Sequence, residues 1–180
     1  MNNNINTIVK TVKDFYNKAN QAAKKQEEYS KVFNSTIAEE KNAELRREIL
    51  SMQTQAREQV QASAEAAEQD VKDAAILQGS DLTDDMKLLA AGIKLTGDDL
   101  QALADRYAGN ETMLRAIRDY AQREEKIVNL PPMADDKLQA VEKIRTGALN
   151  LVDSIASNPL DALVAASIQD YGTAPIFDLI

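Results

Sequence analysis

The first glycine of the chain is Gly79 and the first proline is Pro131, so residues 5 to 78 form one run of helix-forming sequence without backbone punctuation. As a single helix, at about 1.5 Å per residue, that run would be about 105 Å long, several times the usual globular length. It must fold back on itself or find partners along its length. Within it, apolar residues step by four and three through Ile8, Val12, Phe15, Ala19 and Ala22, pass polar Gln26, and resume at Tyr29 and Phe33. This is an a/d-type seam, with Lys, Asn, Gln and Glu filling the outside, and such a seam wants a helical partner.

After Phe33 the phase slips. Ile37 follows by four, a second clean seam runs through Leu45, Ile49, Met52 and Ala56, and another slip of four leads to Val60, Ala64, Ala67, Val71 and Ala74. Slips of four unwind a coiled coil locally, which suits one continuous helix with a drifting seam. The first slip also falls at Phe33-Asn34-Ser35-Thr36, where Thr36 and Glu39 have capping-box spacing, and a helix restarting there gives a hairpin. Both readings stand on the sequence alone. From Ala56 to Ala75 the contact positions are mostly Ala, which lets helices approach closely but buries little area at about 25 cal/mol per Å². That segment suits packing on its own chain, or a partner surface strengthened by many copies.

Gly79 and Ser80 end the run. Thr83 is placed to cap a helix over Met86–Ala91, with Asp84 and Asp85 at its positive end and Gly92 as its stop. The pattern recurs with Leu95-Thr96, then Asp98 and Asp99, then Leu100, Leu103 and Ala104, ending at Gly109. Asn110 is placed to cap a third helix with Met113, Leu114, Ile117, Tyr120 and Ala121 on its apolar face and Arg115, Arg118 and Arg123 largely outside. Beyond Pro131-Pro132, a fourth helix is predicted from about Asp135 to Ala156 on Leu138, Val141, Ile144, Ala148, Val152 and Ile155, and Asn158-Pro159 separates it from a short apolar helix over Leu160–Ile168. The terminal Ile176, Phe177, Leu179 and Ile180 form an apolar patch if left free, so they are expected to dock on the core or on another subunit.

The chain has no Cys and no His, which removes thiolate nucleophiles, His general bases, Ser-His-Asp triads and the usual zinc sites. Carboxylates, Lys, Tyr and Ser/Thr remain. The paired acids at Glu27-Glu28, Glu39-Glu40, Asp84-Asp85, Asp98-Asp99, Glu124-Glu125 and Asp135-Asp136 are adjacent in sequence, so on a helix they point about 100° apart and make poor acid/base dyads. Asp81, Asp84 and Asp85 read as a capping loop rather than a cation site. The six glycines, at 79, 92, 97, 109, 147 and 172, draw no phosphate-binding loop. A hydrolase would instead show itself as a pocket gathering carboxylates with raised pKa values.

Residues 1–78 carry 11 Lys/Arg and 12 Asp/Glu, whereas residues 79–180 carry 10 and 17, so most of the net charge of −8 lies in the second segment. That balance disfavours non-specific nucleic-acid binding. The stretch from Gln101 to Ile117 invites a helix-turn-helix reading, but its second helix opens on Glu111 in acidic surroundings, unlike a base-reading helix. The start of the chain shows no basic region followed by an apolar one, and no stretch approaches about 18 consecutive apolar residues, so neither a secretory signal nor a membrane span is expected.

Gly92-Ile-Lys-Leu-Thr-Gly-Asp-Asp-Leu-Gln-Ala-Leu-Ala-Asp-Arg-Tyr, continuing through Asn110-Glu-Thr-Met-Leu-Arg-Ala-Ile-Arg-Asp-Tyr-Ala, resembles a segment of small helical proteins encoded among phage and prophage structural genes of Gram-positive bacteria. The resemblance covers about residues 85–125. It implies a virion-assembly or virion-associated role in the host cytoplasm or in the virion itself, and carries over no functional residue. The N-terminal run is similar in style to scaffolding proteins, which are helical, charged and oligomeric.

The expectation is therefore an all-α protein: a long N-terminal helix or helical hairpin, coiled-coil-like, over residues 1–78, and a compact acidic multi-helix domain over residues 79–180. Its expected role is that of a non-enzymatic structural or assembly protein without a cofactor or metal. Its expected partners are proteins, through self-association or coat- and portal-type structural proteins, with neither nucleic acid nor membrane. The alternative is a regulatory binding module with a helix-turn-helix-like corner. The expected partner-interface residues are Ile8, Val12, Phe15, Tyr29, Phe33, Leu45, Ile49, Met52, Ile176, Phe177, Leu179 and Ile180.

Overall fold

The computed structural model describes residues 2–91 and 93–173, and among them every regular element is helical. The helices are α1 (Asn2–Val32), α2 (Ser35–Ala74), α3 (Met86–Ala90), α4 (Gly97–Arg106), α5 (Glu111–Arg123), α6 (Ala134–Ser157) and α7 (Ala162–Asp170), with a 3₁₀ turn at Gly79–Asp81. The all-α expectation holds, and the unpunctuated run is two helices rather than one.

The break lies at Phe33 and Asn34, and the cap is not the expected one. Asn34 Oδ1 accepts from the Ile37 N–H (3.1 Å), so Asn34 is the N-cap of α2 and Thr36 already lies inside the helix. Asn ranks above Thr as a cap because its short amide reaches the third-residue N–H from extended backbone with little strain.

The chain divides into two compact units that do not follow the linear boundary at residue 78. One comprises the described residues of Met1–Glu68 and Ala140–Ile180, the other Gln69–Gln139. The first unit gathers distant stretches because the seam of α1 and α2 needs a third apolar face, and α6 supplies it.

In that first unit, rising numbers on α1 meet falling numbers on α2. Gln26 Nε2 donates to the Asn42 carbonyl (3.3 Å), Phe15 shares a groove with Met52 and Ala56, and Ile5, Ile8, Val12 and Ala19 share a core with Val60, Ala64 and Ala67. The hairpin is therefore antiparallel. Val141, Ile144, Ala148, Val152 and Ile155 of α6 complete the same core. Arg57 Nη1 reaches both oxygens of Asp153 (2.6 Å each), Gln53 Nε2 reaches the same carboxylate (2.9 Å), and Arg145 pairs with Glu68 (3.3 Å), so α6 also runs antiparallel to α2. At the far end Asn20 Nδ2 donates to the Pro159 carbonyl (3.0 Å).

Asp161 caps α7 by accepting from the Leu163 N–H (2.7 Å), and α7 buries Ile168 in this core. The Tyr171 hydroxyl then donates to the Ile144 carbonyl (3.3 Å). Gly172 follows at φ +96°, where an added Cβ would lie 2.9 Å from a Val9 methyl. Both the left-handed backbone and the close approach require glycine.

The second unit packs short helices around bulkier side chains: Leu89, Leu100, Leu103, Leu114, Ile117, Tyr120 and Met133. Thr96 and Asp99 form a full capping box at the start of α4, and Asn110 caps α5 through the Met113 N–H (3.0 Å). Gly109 takes φ +96° between the two helices. Thr83 does not cap α3 as expected; its hydroxyl donates to the Tyr107 hydroxyl (2.8 Å). α5 ends without glycine: Glu125 sits at φ +53°, and the Lys126 N–H returns to the Ala121 carbonyl (2.8 Å). This is the backbone geometry of a Schellman stop carried by a glutamate.

Candidate docking surfaces

The expected partner-interface residues separate into three groups. Ile8, Val12, Phe15 and Ile49 are buried in the protein's own fold, and Met52 packs half-buried against the same core. For the α1 members of the seam the helical partner is this chain's own α2 and α6, which leaves Ile8, Val12 and Phe15 no surface to offer. Leu45 is half-buried. Tyr29 and Phe33 sit at the hairpin tip, while Ile176, Phe177, Leu179 and Ile180 lie outside the described residues.

The tip is the first exposed apolar surface. Tyr29 and Phe33 are one helical turn apart on α1 and meet edge to face, with ring centroids 5.5 Å apart at 64°. Lys41 Nζ lies 5.5 Å from each ring centroid, fixing the two rings from the α2 side. Around them Val32 is 74% exposed, Phe33 37% and Ile37 41%. Below the tip the contacts turn polar: Asn42 Nδ2 donates to Ser30 Oγ (3.1 Å), and Ser30 Oγ donates to the Gln26 carbonyl (2.9 Å). Sequence periodicity placed Phe33 here and registered Ile37 four residues on without making it an interface residue; Val32 is apolar but off the seam.

The second surface is a groove of about 400 Å³ in the second unit, between α5 and the segment leading into α3. Leu89, Ala116 and Tyr120 belong to its lining, with half-exposed Leu77 and Leu82 at one lip and Arg115 and Arg123 on the α5 side. Sequence reading missed this site, since Leu77 and Leu82 flank the loop and belong to no helical stripe.

Side-chain bonds hold that unit's loops rigid beside the groove. The Tyr120 hydroxyl donates to the Ile93 carbonyl (2.6 Å) and accepts from the Leu95 N–H (3.2 Å). The Tyr107 hydroxyl donates to Asp85 Oδ2 (2.7 Å), which also takes Arg106 Nη1 (2.8 Å). Gln101 brackets Asn129, donating to its carbonyl (2.9 Å) and accepting from its N–H (2.8 Å). In three of the acidic pairs the second member is the anchor: Asp85 as above, Asp99 in the capping box, and Asp136 accepting from the Met133 N–H (3.0 Å).

Asp85, Asp99 and Asp153 are each held below the ordinary carboxyl pKa. The Tyr107 hydroxyl and then Arg106 lower Asp85, the Thr96 hydroxyl lowers Asp99, and Arg57 with Gln53 lowers Asp153. A general acid at neutral pH needs the opposite shift, so these groups serve as ionised anchors. Burial raises the Tyr171 phenol. Among the described residues, no group of three or more acidic side chains is placed to hold a metal ion, and no helix is long and apolar enough to cross a membrane.

The α4–α5 corner has its charges turned onto its own unit. Glu111, at the start of α5, accepts from Arg115 Nε (3.2 Å) and from the Ala134 N–H (3.2 Å), Arg118 reaches Met133 Sδ (3.8 Å), and Arg123 lies over the Tyr120 ring (5.2 Å). The first turn of α5 thus meets the start of α6, where a base-reading helix would present free polar side chains.

Together these features define an all-α protein whose long hairpin ends in an exposed apolar tip and whose second unit carries an apolar groove edged by Arg115, Asp119 and Arg123. No family model matches the chain, and neither a curated protein nor a solved structure matches it.

Proposed function

We propose that this protein is a non-enzymatic helical assembly protein acting through protein–protein contacts. The resemblance over residues 85–125 suggests its setting, a phage or prophage structural module, with action in the host cytoplasm or incorporation in the virion. The observation that supports this reading is the hairpin tip. Val32, Phe33 and Ile37 expose aliphatic and aromatic surface at the end of an otherwise well-packed hairpin, and clustered exposed apolar side chains mark interaction sites more often than chance.

The test is to identify the genes flanking this one and to measure binding of any coat- or portal-type proteins they encode. The triple variant Val32→Ser, Phe33→Ser, Ile37→Ser is expected to keep the helical content and thermal midpoint of the parent and to lose at least tenfold in affinity for those subunits. Equal affinity would remove the tip from the reading. Flanking genes without capsid, portal or maturation-protease products would overturn the virion setting.

A further inference from the structure

The elbow between α1 and α2 is built from residues that suit a straight helix equally well. Phe33 and Asn34 alone separate the two helices, neither is glycine or proline, and neither adopts positive φ, where Glu125 is the only non-glycine among the described residues. Helical bonding runs up to the Phe33 N–H, which donates to the Tyr29 carbonyl (3.1 Å), and resumes at the Ala38 N–H, which donates to the Asn34 carbonyl (2.9 Å). Of the four N–H groups between, Asn34 to Ile37, the last goes to Asn34 Oδ1. A straightened elbow hands all of them to the carbonyls of Ser30, Lys31, Val32 and Phe33. It also sets Phe33 and Ile37, 37% and 41% exposed at the tip, one turn apart on a single helix face.

Straightening lifts α1 from α2 and α6 and uncovers the core that Ile5, Ile8, Val12, Phe15 and Ala19 complete. The fold itself names what covers that core again, because α1 of a second copy carries the same side chains in the same order. The bonds from Gln26 to the Asn42 carbonyl (3.3 Å) and from Asn20 to the Pro159 carbonyl (3.0 Å) re-form between copies. The hairpin is antiparallel, so two straightened chains lie antiparallel about a dyad at the elbow and keep its register. Residues equidistant from the dyad face each other, and Phe33 meets Ile37 of the second copy. Hairpin and exchanged dimer therefore differ only at the elbow, where the dimer gains helical bonds and covers the tip against the entropy of association. Short connections are where such exchange is easiest.

We propose that this chain exchanges α1 with a second copy. Residues 2–74 of each chain straighten into one helix, about 110 Å long at about 1.5 Å per residue, and α1 of each copy lies on α2 and α6 of the other. The inference goes beyond the assembly reading, since it needs no protein but this one.

Sedimentation over a rising concentration series is expected to show the 19.8 kDa chain pairing into a dimer. Asn34→Ala removes the elbow cap and suits a straight helix, so it is expected to strengthen association at least tenfold. Ser35 is the first residue of α2, where proline is tolerated, whereas in the straight helix the same proline falls mid-helix. Ser35→Pro is therefore expected to leave a monomer with the parent's helical content.

Asp14 of α1 and Gln55 of α2 line one groove, and the chain has no cysteine, so Asp14→Cys and Gln55→Cys chains carry one thiol each. Both positions lie about 30 Å from the elbow at about 1.5 Å per residue, so two hairpins touching only at their tips hold these thiols about 60 Å apart. Refolded together, the two variants are expected to give a cross-linked heterodimer with a short bismaleimide, and neither cross-links alone. With Ser35→Pro in both chains the heterodimer should vanish, while one chain carrying both thiols and Ser35→Pro should cross-link within itself, which reports an intact hairpin. A dimer without the heterodimer cross-link overturns the exchange, as does a Ser35→Pro chain that keeps its hairpin and still dimerises. A chain that stays monomeric even with Asn34→Ala also overturns it. Failure to bind coat- or portal-type subunits leaves these readouts unchanged, so the two readings fail separately.

Discussion

The two units reach stability by different packing. Among the described residues, five of the fifteen in the first unit's main core are alanines (Ala19, Ala56, Ala64, Ala67 and Ala148), whereas two of the nine in the second are. Long helices compensate for small side chains by repeating a close contact over many turns. Short helices cannot, so the second unit fills its centre with Leu, Ile, Tyr and Met and ties its loops with side-chain hydrogen bonds. Seam length therefore sets the size of residue a helical core needs.

The sharpest way to break this contrast is to invert it. Ile117→Ala, at a fully buried site in the second unit, is expected to cost about 2–5 kcal/mol through lost burial and the cavity left behind. Ala64→Leu, equally buried in the first, is expected to cost about 1–3 kcal/mol because the added carbons force the helices apart. Urea unfolding measures both, and an Ala64→Leu chain as stable as its parent would show that the alanine seam has slack.

Removing one loop tie is the next test. Tyr120→Phe deletes the hydroxyl that bridges the Ile93 carbonyl and the Leu95 N–H, and a loss of about 1–3 kcal/mol is expected. Hydrogen exchange should speed up at Leu95 before it changes in α1; uniform acceleration would contradict a local tie. In the first unit the corresponding local device is the elbow cap. Asn34→Ala is expected to cost about 1 kcal/mol and to fray the start of α2, with Ser or Asp at the same position recovering most of it.

Glu125→Gly has the opposite sign. A glutamate at φ +53° carries a Cβ penalty that glycine lacks, so the thermal midpoint should rise, by about 0.5–1 kcal/mol in stability terms. No rise would mean that Glu125 makes a compensating contact.

The smallest expected effect is in acid. Asp153 in the first unit and Asp85 in the second both have lowered folded-state pKa values. Their contribution is therefore present above the unfolded carboxyl value of about 3.9 and is lost as pH falls through the lower folded values. Stability should decline below about pH 4 in both units, and Asp153→Asn should flatten the decline in the first; an unchanged slope would assign the acid sensitivity elsewhere.

Much of the secondary structure was legible before any coordinates. The faces of α5 and α6 were readable as spaced apolar residues, and Met113, Leu114, Ile117, Tyr120, Val141, Ile144, Val152 and Ile155 are all buried. Gly109 and Asn110 marked the boundary between α4 and α5 because left-handed residue and cap leave a chemical signature. The end of α5 left none, since Glu125 adopts a conformation its side chain disfavours. Thr36 misled for a related reason: a capping-box spacing is a local pattern, and the better cap was two residues earlier.

The docking surfaces were less visible. Periodicity reports which residues share a face, not what covers it, so Ile8, Val12 and Phe15 of α1 looked like an outward seam although α2 and α6 occupy it. Leu77 and Leu82 gave no periodic signal, and their groove exists only because α5 lies beside their loop.

By itself the sequence determined the all-helical class, most helix boundaries, the apolar faces and the chemistry that missing His and Cys exclude, because these follow from local backbone preference and residue type. The tertiary structure decided that residues 5–78 fold as a hairpin, that α6 returns to close its core, and which apolar residues stay in contact with water. Those outcomes depend on competition between faces far apart in the chain, and that competition is settled only when the faces meet.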